Sequence, residues 1–188
     1  MSNLKHEERA RNLYEQAMSS EDREQRIPLL KRAVSLDPEF SDAYMELGSS
    51  YIHINDLEEA DKALRASIEL DDNVWAHLYL GNLFERKNDL VAALNEFHAA
   101  EKVDPELSVS LWCAGDIHRA MGDLDESERY YRKAIAAEPT DALALARLGR
   151  LLIEKGNRTE GAAYIKRALE EDSACNFALK CKSRYHVE

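Results

Sequence analysis

The chain has few residues that interrupt helices and no long apolar run. Its 188 residues include only 7 glycines and 4 prolines, so most of the sequence can adopt regular structure. No apolar stretch approaches the roughly 18 residues that suggest a transmembrane helix. The N-terminal sequence MSNLKHEERARNLYEQ lacks the apolar core of a signal peptide. These absences predict a helical protein of the cytoplasm.

Positive charge is also scarce. The chain has 25 lysines and arginines against 36 aspartates and glutamates, and its formal net charge is −11. Nucleic acids require a basic surface for their phosphates, and anionic membranes attract basic segments, so neither is an expected partner. With 45% hydrophobic and 32% charged residues, the composition instead indicates one folded domain.

Cysteines and catalytic motifs are rare. Cys113, Cys175 and Cys181 form no CxxC pair. Cys175 and Cys181 could be metal or redox partners, but reduced thiols of a cytoplasmic protein are the favoured interpretation. The sequence has no HExxH motif, glycine-rich phosphate loop or GxSxG nucleophile. We therefore predict no enzyme activity, no metal and no cofactor.

The sequence does contain an internal repeat. Its spacing is set by two series of small residues, which are Gly48, Gly81, Gly115 and Gly149 in the first and Ala60, Ala93, Ser127 and Gly161 in the second. The separations are 33, 34 and 34 residues in both series. Each repeat predicts two helices, because two segments with helical periodicity flank a short turn. The shorter first step predicts a one-residue deletion around Asp72–Val74.

The repeated small residues have a packing explanation. Paired helices can approach closely only where side chains are small, and neighbouring apolar residues such as Leu47 and Tyr51 then fill the remaining space. Gly122 and Gly156 fall in the turns, where a left-handed helix C-cap is expected.

This pattern resembles the tetratricopeptide repeat family, W-x2-L-G-x2-Y…A-x3-F…P. The third repeat carries the match at His77, Leu80, Gly81, Phe84, Ala93, Phe97 and Pro105. His77 and His118 occupy aromatic positions of the pattern, so we expect them to be packing residues. Five repeats are predicted at about 7–40, 41–73, 74–107, 108–141 and 142–175, with a capping helix at 176–186. The first is degenerate, as expected of a terminal repeat that packs on one neighbour.

The resemblance implies an all-α fold, a right-handed α-solenoid of antiparallel helix pairs, as a single domain over residues 1–188. The capping helix should cover the last repeat with Phe177 and Leu179 facing inward. Lys180, Lys182 and Arg184 should then lie in water.

In such solenoids the first helix of each pair lines a concave groove that binds partners, usually peptides. A helical wheel of the first helices predicts the partner-binding residues of this chain, which are Met45, His53, Trp75, Leu78, Tyr79, Asn82, Arg86, Val109, Trp112, Asp116, Leu143, Arg147 and Arg150. Their surface should be acidic at its N-terminal end, apolar in the middle and basic at its C-terminal end. The alternative is that Trp75 and Trp112 mainly pack on neighbouring helices.

These features predict a non-enzymatic protein-interaction module, an adaptor, scaffold or co-chaperone-like protein. The partner would have apolar anchors for Trp75 and Trp112 and acidic groups near Arg147 and Arg150. The carboxylate clamp of Hsp70 and Hsp90 co-chaperones is not expected, because the chain matches only part of its residue set. Two alternatives remain, a self-associating scaffold that is a homo-oligomer and a secretion-type chaperone.

Overall fold

The computed structural model describes residues 2–187, and within this range it consists of 11 α-helices without a β-strand. The helices are α1 (Ser2–Met18), α2 (Arg23–Leu36), α3 (Ser41–His53), α4 (Leu57–Leu70), α5 (Val74–Arg86), α6 (Leu90–Val103), α7 (Ser108–Met121), α8 (Leu124–Ala137), α9 (Ala142–Glu154), α10 (Arg158–Glu171) and α11 (Asn176–Tyr185).

The helices form two compact units, the first ending at Val103 and the second beginning at Asp104. In both units each odd-numbered helix from α1 to α9 packs on the helix that follows it, and α11 packs on α9 and α10. Because short turns join the members of each pair, the paired helices are antiparallel. The single domain over residues 1–188 stays a prediction.

The core of each unit lies between its paired helices. In the first unit one apolar cluster extends from Ala10 in α1 to Leu83 in α5. In the second unit the buried residues come from α7 to α11, and Leu148 and Tyr131 are fully buried among them. The first helices of the repeats therefore have one side fixed against their partners.

Small residues allow this close pairing, as the sequence predicts. A Cβ atom on Gly115 would lie 2.7 Å from Cε1 of Tyr131, and one on Gly149 would lie 2.7 Å from the carbonyl oxygen of Gly161. Both separations are shorter than real Cβ contacts. The predicted packing role of the repeated glycines is therefore confirmed.

The turns within the pairs use left-handed residues. Gly122 and Gly156 have φ values of 90° and 94°, which confirms the predicted left-handed caps. Asn55 and Asn88 have φ values of 62° and 60° in the turns of the second and third repeats. Asparagine tolerates this conformation better than most other residues with a side chain, so glycine and asparagine serve the same purpose here.

The predicted deletion lies in the linker between α4 and α5. Three residues, 71–73, join these helices, whereas four residues, 37–40 and 138–141, join α2 to α3 and α8 to α9. The Asn73 side chain accepts a hydrogen bond from the backbone N–H of Trp75 at 2.8 Å. The short linker thus ends in an N-cap that starts α5 one residue before Trp75.

The orientation of α11 corrects one prediction. Leu179 is 43% exposed, whereas Ala178 and Cys181 are buried. Since Ala178 and Cys181 are three residues apart, they define the buried face, and Leu179 lies about 100° away from Ala178 around the helix. Phe177 does pack against the core of the second unit, and Lys180, Lys182 and Arg184 are exposed as predicted.

Replacing Gly149 by alanine should lower the free energy of unfolding by about 2 kcal/mol, because overpacking a tight contact typically costs about 1–3 kcal/mol. The higher helix propensity of alanine, worth about 1 kcal/mol, offsets only part of this. Urea unfolding followed by circular dichroism measures the difference. Ala136→Leu, an exposed position on α8, is the control and should stay within about 0.5 kcal/mol of wild type. A Gly149→Ala protein as stable as wild type would contradict the close approach.

Candidate functional site

The predicted partner-binding residues lie at fixed offsets from the repeated glycine of each first helix. Six residues before the glycine, Trp75 is 45% exposed and Leu143 is 37% exposed, whereas Val109 is half-buried. The position three residues before it is covered, because Leu78 is buried and Trp112 is half-buried. The exposed surface is therefore narrower than the helical wheel predicts.

Leu78 is accordingly corrected from a surface residue to a core residue. It is 6% exposed and lies in a run of buried residues from Ala76 to Leu78. The physical reason is that α5 packs on α6 and also on α3 and α4, so that a wide arc of the helix is covered. The helical-wheel prediction allowed for contacts of α5 along one side of the helix only.

The other α5 residues form a surface in the first unit, which we call the α5 surface (Trp75, Tyr79, Asn82 and Arg86). Asn82 is exposed, and the half-buried Tyr79 packs against the core of the unit. Nη1 of Arg86 donates to the carbonyl oxygen of Ile52 at 2.8 Å, which ties α5 to the end of α3. Trp75 is consequently the large apolar group that this surface offers to solvent.

The remaining predicted residues have mixed exposure. On α3, Met45 is half-buried and His53 is exposed. On α7, Val109 is half-buried. The basic end predicted at Arg147 and Arg150 is not a pair of free cations, because both arginines have carboxylate partners in the second unit.

These partners form a cluster that we call the arginine–aromatic cluster (Trp112, Asp116, Arg147, Arg150 and Phe177). The guanidinium carbon of Arg147 lies 3.8 Å from the ring centre of Trp112 and 5.0 Å from that of Phe177. The guanidinium carbon of Arg150 lies 4.8 Å from the ring centre of Phe177. Cation–π contacts at these distances fix the planes of both guanidinium groups.

Asp116 is the acceptor at the centre of this cluster. Its carboxylate accepts hydrogen bonds from Nε of Arg147 at 2.7 Å, Nη2 of Arg150 at 3.3 Å and the hydroxyl of Tyr131 at 2.6 Å. Burial, followed by the charge of Asp116, raises the pKa of Tyr131. The phenol therefore stays protonated and continues to donate its hydrogen bond.

The repeat period predicts that two members of this cluster occupy the same place in adjacent repeats. Asp116 and Arg150 each follow the repeated glycine of their helix, so they are 34 residues apart and occupy the same place in adjacent repeats. Phe177 belongs to the capping helix, which is outside the period. Sequence reasoning did not anticipate its contact with Arg147.

His77 also has a role that the repeat pattern does not predict. Its Nδ1 lies 2.7 Å from Oε2 of Glu96 in α6, and its Nε2 lies 2.8 Å from Oδ1 of Asp72 in the α4–α5 linker. The bonds to Glu96 and then Asp72 raise the pKa of His77, although burial opposes this. His77 is thus a buried ion-pair centre, while His118 stacks on Tyr130 as a packing residue.

Residues 2–187 show neither a metal site nor a helix that could span a membrane. Across these residues no three or more histidine, cysteine, aspartate and glutamate side chains are grouped so that they could hold a metal ion. Cys175 and Cys181 are buried free thiols. Over the same span, each helix is too short or too polar to cross a membrane.

The helix pairs and their small-residue contacts define an α-solenoid repeat protein. The chain belongs to the tetratricopeptide repeat family, because tetratricopeptide repeat models match residues 41–74 and 114–174. These segments together make up about half of the chain.

Similar proteins agree with this fold. The structure of pilF from Pseudomonas aeruginosa has a TM-score of 0.82 at 16% identity, covering 98% of this chain and 85% of that one. The structure of YrrB, described as a TPR protein with an unusual peptide-binding site, has a TM-score of 0.67 at 20% identity and covers 92% of this chain and 89% of that one. At these identities the likeness shows the fold alone, and it confirms the predicted all-α solenoid of helix pairs.

Curated relatives are much longer than the chain. The human Protein O-mannosyl-transferase TMTC3 is 25% identical over 157 residues, which are 80% of this chain and 17% of that protein. Across three such relatives the chain spans between 17% and 55% of their length. Their similarity supports the repeat fold and does not transfer an activity.

Raising the pH should destabilise the protein through His77. Because the folded-state pKa is raised, the stabilisation is fully present below the unfolded-state pKa, about 6.5, and is lost as the pH rises through the folded-state pKa. Urea unfolding from about pH 6 to about pH 9 measures this loss. The His77→Gln variant can keep hydrogen bonds without titrating, so wild type should lose more stability than the variant over this range. Parallel pH profiles would contradict a raised pKa of His77 in the folded state.

Proposed function

We propose that this protein is a non-enzymatic adaptor that binds a segment of another protein on the exposed faces of its first helices. The observation that carries the proposal is Trp75, a large aromatic side chain that is 45% exposed on a helix anchored on several sides. Exposed tryptophans with fixed backbones are typical of binding hot spots. An ordered helix also loses little conformational entropy on binding.

The second unit supports the same proposal. Trp112 is held against Arg147 and remains partly exposed, and Leu143, one helical turn before Arg147, is 37% exposed. Tryptophan and arginine are the residue types most enriched in hot spots. An apolar anchor of the partner would contact these side chains.

The hydrogen-bond partners of the titratable groups favour an adaptor over an enzyme. His77 already has carboxylates on both ring nitrogens, and Asp116 already accepts three hydrogen bonds. Groups that are satisfied in this way have no free position for a substrate proton, which catalytic acids and bases need. We extend the proposal to a cytoplasmic location and a protein partner, because a net charge of −11 disfavours nucleic acids and anionic membranes.

Trp75→Ala and Trp112→Ala should each weaken partner binding by more than about 1 kcal/mol, the usual threshold for an important interface residue. A partner captured from native lysate would be identified, purified and titrated against wild type and both variants by calorimetry. Val91→Ala removes an exposed apolar side chain from α6, the second helix of its pair, and should leave the affinity unchanged. Light scattering at increasing concentration tests whether the partner is a second copy.

Unchanged affinity in both tryptophan variants, with thermal unfolding like that of wild type, would refute the proposal. Mass that increases with concentration in wild type and not in Trp75→Ala would favour the self-associating scaffold over the adaptor.

A further inference from the structure

The arginine–aromatic cluster holds more hydrogen-bond donors than acceptors. Each guanidinium group has five N–H donors, yet Arg147 and Arg150 each make one hydrogen bond among the described residues, and both bonds go to Asp116. Three buried N–H groups of the cluster find no acceptor among residues 2–187, which are Nη1 of Arg147, Nε of Arg150 and Nε1 of Trp112. A buried donor without an acceptor costs about 1–3 kcal/mol, and over the described residues the cluster lacks acceptors in the free protein.

Charge indicates that the missing acceptor is an anion. Arg119, Arg147 and Arg150 face two carboxylates, Asp116 and Glu154. Glu154 lies 3.7 Å from Arg119 and 3.9 Å from Arg150, which are ion-pair distances too long for hydrogen bonds. The cluster therefore carries one excess positive charge within a protein of net charge −11.

The cluster is also preorganised. The side chains of Arg147 and Arg150 are 12% and 17% exposed, and the rings of Trp112 and Phe177 fix their planes. A fixed guanidinium loses little rotamer entropy when it binds a ligand. Its planar fork matches a carboxylate, which can accept two parallel hydrogen bonds.

The neighbouring side chains are apolar. Val109 lies one turn before Trp112 on α7, and Leu143 lies one turn before Arg147 on α9. Residues at these spacings share a helix face. A ligand carboxylate at the arginines would therefore have an apolar surface beside it.

We infer that this cluster is a receptor for a carboxylate on an acidic protein segment, and that Asp116 occupies the carboxylate position in the free protein. Asp116 acts as an internal competitor, which the partner's aspartate or glutamate displaces or joins at the arginine pair. An aromatic or aliphatic residue of the partner packs beside Trp112 and Leu143. This inference rests on the proposed function and names the chemistry of the partner.

The probe is a fluorescein-labelled peptide of four Gly-Phe-Glu repeats, with four Gly-Phe-Gln repeats as the matched uncharged peptide. Fluorescence anisotropy with the full chain should show the acidic peptide binding at least tenfold more tightly. Arg147→Gln should weaken its binding at least tenfold. Lys166→Gln, which removes an exposed cation on α10, should leave the affinity unchanged.

Asp116→Asn should have the opposite effect and raise the affinity for the acidic peptide severalfold, because it removes the competing carboxylate. The amide oxygen can still accept from Tyr131, so the packing of the cluster is kept. Binding should also depend more steeply on salt, since the excess positive charge increases. Asp123→Asn makes the same charge change at an exposed position and should raise the affinity much less.

Three results would overturn the inference. The first is that the full chain binds the two peptides equally or binds neither. The others, in variants that unfold like wild type, are unchanged affinity of Arg147→Gln and weaker binding by Asp116→Asn. Stronger binding of a phosphoserine peptide than of the glutamate peptide would overturn the choice of carboxylate. If the captured partner needs Trp75 and ignores both cluster substitutions, the inference fails and the adaptor function stands.

Discussion

The close approach of two helices at a small residue is the contact on which the rest of the structure depends. In the second to fifth repeats the glycine of the first helix meets one side chain of the second helix, which is Leu64, Phe97, Tyr131 or Ile165. This contact leaves no room for a methyl group. It therefore fixes the rotation of each first helix about its own axis, and a rotation by one residue, about 100°, would exchange exposed and buried side chains.

Much of the fold is predictable because these contacts repeat. The glycine period, the left-handed turn residues and the short step at Asp72 are local or periodic features, and a single sequence displays them directly. The capping helix has no equivalent elsewhere in the chain. Hydrophobicity alone could not show whether Ala178 or Leu179 faces inward. The packing of α11 on α9 and α10 turns Ala178 inward.

The exposure of a candidate site residue can be predicted from the sequence only where it depends on a single helix. The exposure of Trp75 follows from the wheel of α5, whereas the burial of Leu78 depends on how many neighbours that helix has. Two of the ion pairs that link different helices join residues 19 and 34 positions apart, which are His77 with Glu96 and Asp116 with Arg150. Such pairs depend on side-chain rotamers and on the spacing between helices, which a sequence does not display. The residue types alone therefore predicted a basic end, whereas the structure pairs both arginines with the carboxylate of Asp116.

Tyr131 connects the packing contact to the candidate site. Its ring lies against Gly115, and its hydroxyl donates to Asp116, the next residue in the chain. The equivalent side chains in the other three repeats are leucine, phenylalanine and isoleucine, which have no hydroxyl to donate. Since a raised pKa keeps the phenol protonated, the fold itself holds the Asp116 carboxylate where the arginines meet it. The position of Asp116 is therefore set by the packing of the fourth repeat as well as by the arginines, so the proposed partner binding would depend on the same tyrosine that packs this repeat.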